Sequence, residues 1–562
     1  MAKSVGSFLA ESAHEAADTC RGGWKVLVHK GPSQFQFWII ALCIGIAAGF
    51  AALLFRKGIL WLQSTIYGAE DLSRLHTFAN TLPWYWLVII PTIGGLIVGI
   101  ILNKFTPDGR VRSVADVIEG AALHEGRVER KAGIASAFAS LITLSSGGST
   151  GREGPVVHLA GMIATWVSVR INADGITGRD LLGCAVAAAV SASFNAPIAG
   201  ALFALEVVLR HFAVHAFAPI VIASVAGTVI NRLEFGDVTE FTLNTGTALQ
   251  FYQELPAFLI LGGLCGLVAV ALMWTIFWAD DMASHLQDDL RIPRWLRPAI
   301  SGALLGILAI WFPHIIGVGY ETTSAALTGN LLLHEAIVFA VLKVVAVSIT
   351  MAGRMGGGVF SPSLMVGALT GLAFGMIATA IFPDVSGTTT LYALAGLGAV
   401  AAAVLGAPIS TTLIVFEMTG DWQTGLAVMV AVSISTALSS RLVDGSFFLT
   451  QLERRNVHIA AGPQAYLLAM CGVGKVMRTK DDPKAAPEDR CWEMVSEGLY
   501  VGGTATLESA MPVFENTGEA FLPVVKLGGE DAPPELLGAV FHVDALRAYN
   551  KALAATAAEE HS

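Results

Sequence analysis

Long apolar runs separated by short polar segments cover most of the chain, from about residue 36 to residue 445. Three of the longest runs are 37–55, 86–102 and 258–278. A helix needs about 20 apolar residues to cross the hydrocarbon core of a bilayer, and several runs reach that length. The pattern therefore predicts an all-α polytopic protein embedded in a lipid bilayer.

Some apolar runs are too short to cross a bilayer comfortably. Residues 133–147 and 155–170 are two such runs, and they meet at the glycine-rich stretch GSTGREGP, 148–155. One long kinked helix is the simpler alternative, but we favour two partial helices that meet at a break. Non-helical backbone at membrane depth is tolerated only where it is buried in protein or lines a polar cavity. The break is therefore a candidate site.

The chain also repeats itself, which indicates two related halves. The stretch NAPIAGALFALEV (195–207) matches GAPISTTLIVFEM (406–418), and a weaker echo relates 151–155 to 358–362. Transporters built from inverted repeats place their binding site between the repeats, near the middle of the membrane. The matched positions of the stronger repeat are Pro197 with Pro408, Leu202 with Leu413, and Glu206 with Glu417.

Both breaks have the composition of a helix that begins inside the membrane. The stretch after Ser145 runs through GREGP (151–155), and its counterpart is GRMGGGVFSP (353–362). Such a helix presents unpaired N–H groups and the positive end of its dipole, and glycine lets a ligand approach the backbone. Two such ends aimed at one point predict a binding site for a small anion.

Glu153 stands at the first of these breaks. An ionised carboxylate is costly in an apolar setting, so a stabilising partner or a function is expected. Beside an anion site, ionised Glu153 can occupy the site itself, and protonated Glu153 must withdraw. This predicts a residue that is both gate and proton acceptor. The alternative is a structural pair of Arg152 and Glu153 that only holds the loop in place.

Composition and charge narrow the class of protein. Of the 562 residues, 54% are hydrophobic and 14% charged, and the mean hydropathy is +0.64. Soluble domains average about 25% charged residues. The net charge of −10 indicates no nucleic-acid partner, and the six scattered cysteines indicate neither a disulfide framework nor a metal site. Residues 1–35 lack the apolar core of a cleavable signal, which predicts a cytosolic amphipathic helix.

Four stretches together resemble the CLC family of chloride channels and chloride/proton antiporters: GREGP (151–155), FNAPIAGALFALE (194–206), GGGVFSP (356–362) and EMT (417–419). The resemblance implies a homodimer in which each subunit has its own pore between inverted halves of tilted and re-entrant helices. We place the halves at 36–230 and 231–460. By the same resemblance, Glu153 is the external gate. The residues implied to bind the anion are Gly151, Arg152, Gly154, Gly358, Val359 and Phe360.

Three positions depart from the family pattern. The serine that would contact the anion aligns with Arg112, although a one-residue shift would bring Ser113 there. Arg112 either enters the pathway, where it would bind anions strongly, or reaches the cytosolic surface. The inner tyrosine aligns with Phe448, which keeps the bulk and loses the hydroxyl. The internal proton-transfer glutamate aligns with Val207, which cannot carry protons.

These departures favour a passive or weakly proton-coupled anion pathway gated by Glu153. The alternative is a chloride/proton antiporter that uses another internal route for protons. Glu206 is a less attractive relay, because its counterpart Glu417 indicates a structural role shared by both halves. We expect an integral protein of a bacterial inner membrane with both termini in the cytoplasm.

The polar C-terminal part, 461–562, reads as a small cytosolic α/β domain. The pattern predicts helices over 506–518 and 542–553 and strands over 520–525 and 535–541. This order, with 473–477 as an entry segment, resembles a CBS domain. Such domains work in pairs, so each subunit of a dimer would supply one copy. The domain either binds an adenine nucleotide or serves only as a dimer clamp, and no other cofactor is expected.

Two other classes of protein are alternatives to an anion transporter. A cation pathway would require an acidic cluster within the membrane, and the sequence has isolated glutamates only. An intramembrane hydrolase would require a nucleophile and a base in mutual contact, drawn from Ser145, Ser146, His158 and Glu153. The glycine-rich helix starts already account for these residues, so we expect no enzyme.

Overall fold

The computed structural model describes residues 33–68, 74–212, 214–236, 241, 251–457, 459, 467–468, 471–526 and 534–560. The amphipathic helix predicted over 1–35 lies almost wholly outside these residues. The predicted architecture, an all-α membrane part followed by a small α/β domain, is confirmed. Seven helices among the described residues are long and apolar enough to cross a membrane.

The first half of the membrane part contains nine helices in the described ranges. Two are long spans that precede the first break, and α8 continues into a π-helical turn, Ala204–Leu209. The nine are α1 (Gln34–Tyr67), α2 (Leu75–Ala79), α3 (Trp84–Phe105), α4 (Val114–Leu123), α5 (Arg130–Ser145), α6 (Glu153–Arg170), α7 (Gly175–Phe194), α8 (Pro197–Phe203) and α9 (Val214–Phe235).

The second half repeats this mixture of long and short helices. Short 3-10 turns at Arg294–Leu296 and Pro313–Ile315 flank its second helix. The helices are α10 (Phe251–Asp289), α11 (Arg297–Trp311), α12 (Tyr320–Leu327), α13 (Leu333–Ala352), α14 (Phe360–Ile381), α15 (Thr389–Leu405), α16 (Pro408–Thr419), α17 (Trp422–Leu442) and α18 (Phe447–Glu453).

Both predicted breaks are present. Helix α5 ends at Ser145 and α6 begins at Glu153, so two partial helices replace the single kinked helix. In the second half, α13 ends at Ala352 and α14 begins at Phe360. The segments between them are buried in protein, which satisfies their backbone groups away from lipid.

The two halves are joined reciprocally through the glutamates of the sequence repeat. The Glu206 carboxylate accepts hydrogen bonds from the Ile409 and Ser410 amides at 2.9 and 2.8 Å, at the start of α16. Glu417 accepts from the two amides that follow Pro197, at 3.0 and 2.8 Å, at the start of α8. Each half therefore caps a helix of the other half, where unpaired N–H groups would otherwise be left.

One apolar core runs through the membrane part from α1 to α18. Within it, α14 and α15 approach so closely that a Cβ atom on Gly371 would lie 2.1 Å from the carbonyl oxygen of Tyr392. Small residues allow this approach. Because lipid tails are as apolar as the side chains, the hydrophobic effect does not drive helices together in a membrane, and close backbone packing stabilises the pair instead. The start of α14, where the second break ends, is thereby held firmly.

The C-terminal domain contains the predicted helices and strands. Among its described residues the strands are β1 (Arg478–Thr479), β2 (Val501–Gly502), β3 (Phe521–Lys526) and β4 (Glu535–Phe541), in the spatial order β1-β4-β3-β2. Strands β2 and β3 are parallel, and the other pairs are antiparallel, with Leu522 opposite Val540. Its helices are α19 (Glu488–Ser496), α20 (Leu507–Thr517) and α21 (His542–Glu560).

Helix α19 was not predicted, because its sequence is polar and buries little besides Cys491 and Met494. The domain has its own apolar core, centred on Leu507, Phe514 and Leu522. It packs on the membrane part through a buried ion pair.

In this ion pair, the Arg179 guanidinium of α7 lies 2.6 Å from the Glu508 carboxylate of α20. The amide of Gly175 also donates to the carbonyl of Thr504 at 3.1 Å. The end of the membrane part that carries these contacts is called the tail side below.

Candidate anion site

The two breaks meet and pair through their backbones. Gly151 and Gly358 form an isolated antiparallel bridge, with N–H···O distances of 2.7 and 2.8 Å in the two directions. The Thr150 hydroxyl also donates to the Gly358 carbonyl at 2.9 Å. The bridge joins positions related by the weaker sequence repeat. It brings the N-termini of α6 and α14 to one place.

Glycine is required where these loops touch. Gly357 has φ of +137°, and a Cβ atom there would lie 2.1 Å from the Thr150 hydroxyl. A Cβ atom on Gly151 would lie 2.5 Å from the Glu153 carboxylate. A side chain at Gly357 would therefore push the two loops apart, whereas one at Gly151 would displace the Glu153 carboxylate.

Glu153 is the first residue of α6, and only 1% of it is exposed. Its Oε1 atom accepts a hydrogen bond from the Ser361 hydroxyl on α14 at 2.5 Å. The backbone amides of Glu153 and Ser361 face the carboxylate, whereas Oε2 has no hydrogen-bond partner among the described residues. The carboxylate thus lies between two helix N-termini, which is the position suited to a bound anion.

Arg152 points in another direction. Its Nη2 atom donates to the Ser193 carbonyl at the end of α7, at 3.0 Å. Its guanidinium lies 5.3 Å from the centre of the Tyr320 ring, a cation–π contact. Arg152 therefore fastens the loop to α7 and α12, while Glu153 faces α14.

The predicted residues of α14 lie at the same junction. Val359 is the N-cap residue and Phe360 the first helical residue. The Phe360 ring packs between Phe194 and Phe203, with centroid distances of 4.7 and 5.6 Å. Gly154, in the first turn of α6, lies against Gly358. The junction therefore combines backbone N–H groups with an aromatic wall.

A cavity of about 200 Å³ on the tail side borders the second break. Ser113, Met355, Gly357 and Phe447 are among the residues that line it. Ser113 is the N-cap residue of α4, and its amide donates to Asp116 Oδ2 at 2.7 Å. Of the two candidates for the serine position, Ser113 is the one that lines this cavity.

Arg112 lies elsewhere. Its guanidinium pairs with Asp108 at 2.8 Å and Glu129 at 3.0 Å, and it lines a separate cavity beside His158. Although burial opposes the shift, the hydrogen bond and charge of Arg112 lower the pKa of Asp108. The guanidinium is thus occupied by carboxylates on the tail side.

Phe448 and Val207 are both buried. Phe448 is 3% exposed, and it is the neighbouring Phe447 that lines the cavity and stacks on Phe277 at 5.0 Å. Val207 is 5% exposed within the π-helical turn that follows α8. The turn therefore presents an apolar side chain where the resemblance implies a proton carrier.

The residues proposed for a hydrolase do not form a catalytic pair. Neither ring nitrogen of His158 has a hydrogen-bond partner among the described residues. The Ser146 hydroxyl donates to the Thr143 carbonyl at 3.3 Å. Within the described ranges, no group of three His, Cys, Asp or Glu residues is arranged to hold a metal ion, as a cation site would require.

Sequence reasoning missed the partners of the predicted residues. Ser361 contacts Glu153, Tyr320 lies beneath Arg152, and Phe194 contacts Phe360. Ser361 belongs to the GGGVFSP motif (356–362), so its position in the sequence already indicated that it lies near the second break. Tyr320 is far away in sequence and carried no signal.

Comparison with known proteins identifies the family to which the chain is similar. A model of the family described as voltage gated chloride channel matches residues 94–440. The voltage-gated ClC-type chloride channel ClcB of Escherichia coli O17:K52:H18 is 30% identical over 423 residues, which cover 74% of this chain and 98% of that protein.

Two solved structures are similar in fold. A slow cyanobacterial Cl−/H+ antiporter has a TM-score of 0.66 at 20% identity, covering 75% of this chain and 98% of its own. A eukaryotic CLC transporter has a TM-score of 0.64 at 16% identity, covering 90% and 97%. The second match is longer than the membrane part, so the shared fold includes part of the C-terminal domain.

Proposed function

The chain belongs to the voltage-gated chloride channel family, and we propose that it moves chloride or a similar small anion through a passage in each subunit of a homodimer. The family consists of anion channels and transporters rather than enzymes, and the chain is an integral membrane protein. We propose that Glu153 gates the passage and that transport is passive or weakly coupled to protons.

One observation carries the proposal. The buried Glu153 carboxylate lies between the N-termini of α6 and α14, which the bridge from Gly151 to Gly358 holds together. Backbone N–H groups at helix starts favour an anion without a full counter-charge, which allows the anion to leave again. The cavity lined by Ser113 borders the second break through Met355 and Gly357, which supports an approach to this point from the tail side.

The gate works by replacement. Ionised Glu153 takes the place of the anion and accepts the Ser361 hydroxyl bond. Protonated Glu153 no longer competes for the helix N-termini, so it withdraws and a chloride ion enters. The Phe360 ring and its aromatic neighbours form an apolar wall along the passage.

Two observations support passive over tightly coupled transport. Val207 is apolar and buried at the position where a proton carrier is implied. The adjacent Glu206 is already engaged by the amides at the start of α16, which leaves it poorly placed to relay protons.

The test is the reversal potential of the purified protein in liposomes under a chloride gradient, with and without a pH gradient. A potential that follows chloride alone supports the passive pathway. A shift caused by the pH gradient identifies an antiporter with another internal proton route. The absence of any chloride-dependent potential or efflux would rule out both.

The antiporter is the second candidate, and the comparisons support it. One of the similar folds belongs to a Cl−/H+ antiporter. Glu153 is a carboxylate that can accept a proton at the anion site, so half of the required chemistry is available. The pH-gradient arm of the liposome experiment decides between the two candidates.

The ends of two short helices support the dimer. Ile198 and Ile409, the second residues of α8 and α16, are 54% and 47% exposed, close to the half-buried carboxylates of Glu417 and Glu206. Carboxylates at membrane depth are costly against lipid, and a second subunit would cover them. The mass of the detergent-solubilised particle tests this.

We place the protein in a bacterial plasma membrane with both termini in the cytoplasm, as its similarity to an Escherichia coli protein supports. The C-terminal domain then acts as a dimer clamp on the tail side, and transport requires no cofactor. Binding of an adenine nucleotide to this CBS-like domain is the alternative. A rise in melting temperature on addition of ATP would favour it.

A further inference from the structure

The tail-side cavity carries more positive charge than its carboxylates balance. Four arginines line it, against the two aspartates Asp280 and Asp281. Asp280 pairs with Arg297 at 2.7 Å, and Asp281 pairs with Arg454. The lining arginines are Arg110, Arg354, Arg454 and Arg455.

Two of these arginines have no ion pair with any described residue. Arg455 pairs with Asp116 at 3.0 Å, so both Arg454 and Arg455 are neutralised. In the part of the chain that the structure describes, Arg110 and Arg354 have no carboxylate within ion-pair distance. The Nε atom of Arg354 is buried and has no hydrogen-bond partner there. Both residues also line an adjoining cavity, which Asp108 and Asp288 line as well.

The backbone of Arg354 points to a role for its side chain. Arg354 has φ of +53° and occupies the left-handed position of a Schellman motif that ends α13. In this motif, its amide bonds to Met351 and the Met355 amide bonds to Thr350, at 2.9 and 3.2 Å. Glycine is the usual residue at such a position, because other residues are strained there.

The end of α13 does not need Arg354 as a counter-charge. The Ala352 carbonyl already accepts a hydrogen bond from Arg297 Nε at 2.6 Å. Burial, together with the charges of Arg297 and Arg110, lowers the pKa of Arg354 to about 10, so it remains cationic near neutral pH. The guanidinium is therefore held, charged and without a carboxylate, beside another such group.

We propose that Arg110 and Arg354 form a second anion site, separate from the junction at Glu153, that binds a phosphate group. A guanidinium presents a planar fork of donors that matches two oxygens of a phosphate, whereas a spherical halide has no second acceptor atom to match the fork. The cavity of about 200 Å³ is large enough for several water molecules, so a solvated oxyanion fits. Free phosphate or an anionic lipid headgroup can supply this chemistry.

The site lies beside the transport pathway, because Met355 and Gly357 line the same cavity. A bound phosphate group would stand between the tail-side solvent and the junction. The proposal predicts that its ligand slows anion entry from that side. It is tested by binding, so its outcome does not depend on whether transport is passive or coupled.

The experiment measures binding to the purified full-length protein in two arms. Isothermal titration with inorganic phosphate in chloride-free buffer tests the free ion, and co-flotation with vesicles containing phosphatidic acid or only phosphatidylcholine tests the headgroup. We expect one arm to show binding that weakens about tenfold or more in Arg354→Gly and in Arg110→Gln. Arg354→Lys, which keeps the charge and loses the fork, should give an intermediate loss.

Arg354→Gly is chosen because glycine suits the left-handed backbone, so the melting temperature should stay the same or rise. Arg130→Gln is the matched control, since Arg130 is exposed at the start of α5 and lies outside both cavities. The proposal is overturned if neither arm shows binding. It is equally overturned if binding survives Arg354→Gly and Arg110→Gln, or weakens as much in Arg130→Gln.

Discussion

Glu206 and Glu417 perform the same task in opposite halves of the protein. Each carboxylate accepts two backbone N–H bonds from the start of the short helix that belongs to the other half. The Ser410 hydroxyl also donates to Glu206. This reciprocal capping explains why the sequence repeat keeps a glutamate at both positions and why Glu206 is a poor candidate for carrying protons.

We predict that Glu206→Gln and Glu417→Gln each destabilise the protein by about 1–3 kcal/mol. Each change removes the charge and one of the two acceptor oxygens, so one backbone N–H keeps a neutral hydrogen bond and the other faces the glutamine NH2 group. Thermal unfolding of the detergent-solubilised protein measures the loss, with the exposed Glu234→Gln as control. Reciprocal capping would be contradicted if one of the two changes were as harmless as the control.

For the gate, we predict that Glu153→Gln raises chloride efflux about tenfold, equivalent to about 1.4 kcal/mol in the barrier. The neutral side chain imitates the protonated gate and cannot compete for the helix N-termini. Efflux should also lose its pH dependence over the range in which a carboxylate titrates. The measurement is chloride efflux from liposomes at several pH values.

The control for the gate is Ser361→Ala. It removes the hydroxyl that donates to Glu153 and leaves the carboxylate able to titrate. Its efflux should therefore keep a pH dependence. Equal pH dependence in wild type and Glu153→Gln would show that another group gates the passage.

Substitutions of Ser113 and of Arg112 should have different effects, the first on anion affinity and the second on stability. Ser113→Ala removes a hydroxyl from the cavity that borders the second break, and it should weaken anion affinity by about 1 kcal/mol. Arg112→Gln should leave anion affinity unchanged and lower the melting temperature, because Asp108 and Glu129 lose their cation. Anion dependence of efflux and thermal unfolding measure the two effects. The reverse pattern would place Arg112 in the pathway.

The ion pair of Arg179 and Glu508 should dominate the docking of the C-terminal domain. Arg179→Met alone leaves a buried carboxylate without its cation, and we expect a cost of about 3–5 kcal/mol. The double change Arg179→Met with Glu508→Met should recover much of this loss. Proteolytic release of the domain measures docking. If single and double changes release it equally, the pair does not hold the domain.

Acid should weaken the same contact region through His211. Burial, and secondarily the charges of Arg179 and His215, lower the pKa of His211 to about 4 from its usual 6.5. Between pH 4 and pH 6.5, the unfolded chain therefore binds a proton at His211 that the folded protein does not bind. The free energy of unfolding falls as the pH drops from 6.5 towards 4. Above pH 6.5 the residue has no such effect.

Replacement of His211 by phenylalanine should remove this part of the acid sensitivity. Thermal unfolding between pH 7 and pH 4 measures it, and the exposed His285→Gln is the control. The groups that face His211 are Arg179 and His215, and neither is changed in this test. A variant as acid-sensitive as the wild type would assign the effect to another residue.

Local pattern alone predicted much of this protein. Apolar run length indicated the spans, the glycine-rich stretches indicated both breaks, and the repeat related Glu206 to Glu417 before any contact was known. These features are local or periodic: a bilayer sets helix length, and a helix that begins at membrane depth needs glycine and a means of satisfying its N–H groups. The strands of the C-terminal domain were predicted from alternating apolar and polar residues, which is also a local, periodic feature.

The tertiary structure decided which groups meet. Adjacent Arg112 and Ser113 enter different cavities, and adjacent Arg152 and Glu153 bond to different helices, because neighbouring side chains on a loop point apart. Ser361 reaches Glu153 across 208 positions only because the two glycine loops pair. Arg354 is cationic by sequence, but only the structure shows that Asp280 and Asp281 pair with other arginines and that no described carboxylate lies within ion-pair distance of Arg354. Contacts between distant segments are set by packing of the whole chain, and local pattern does not encode them.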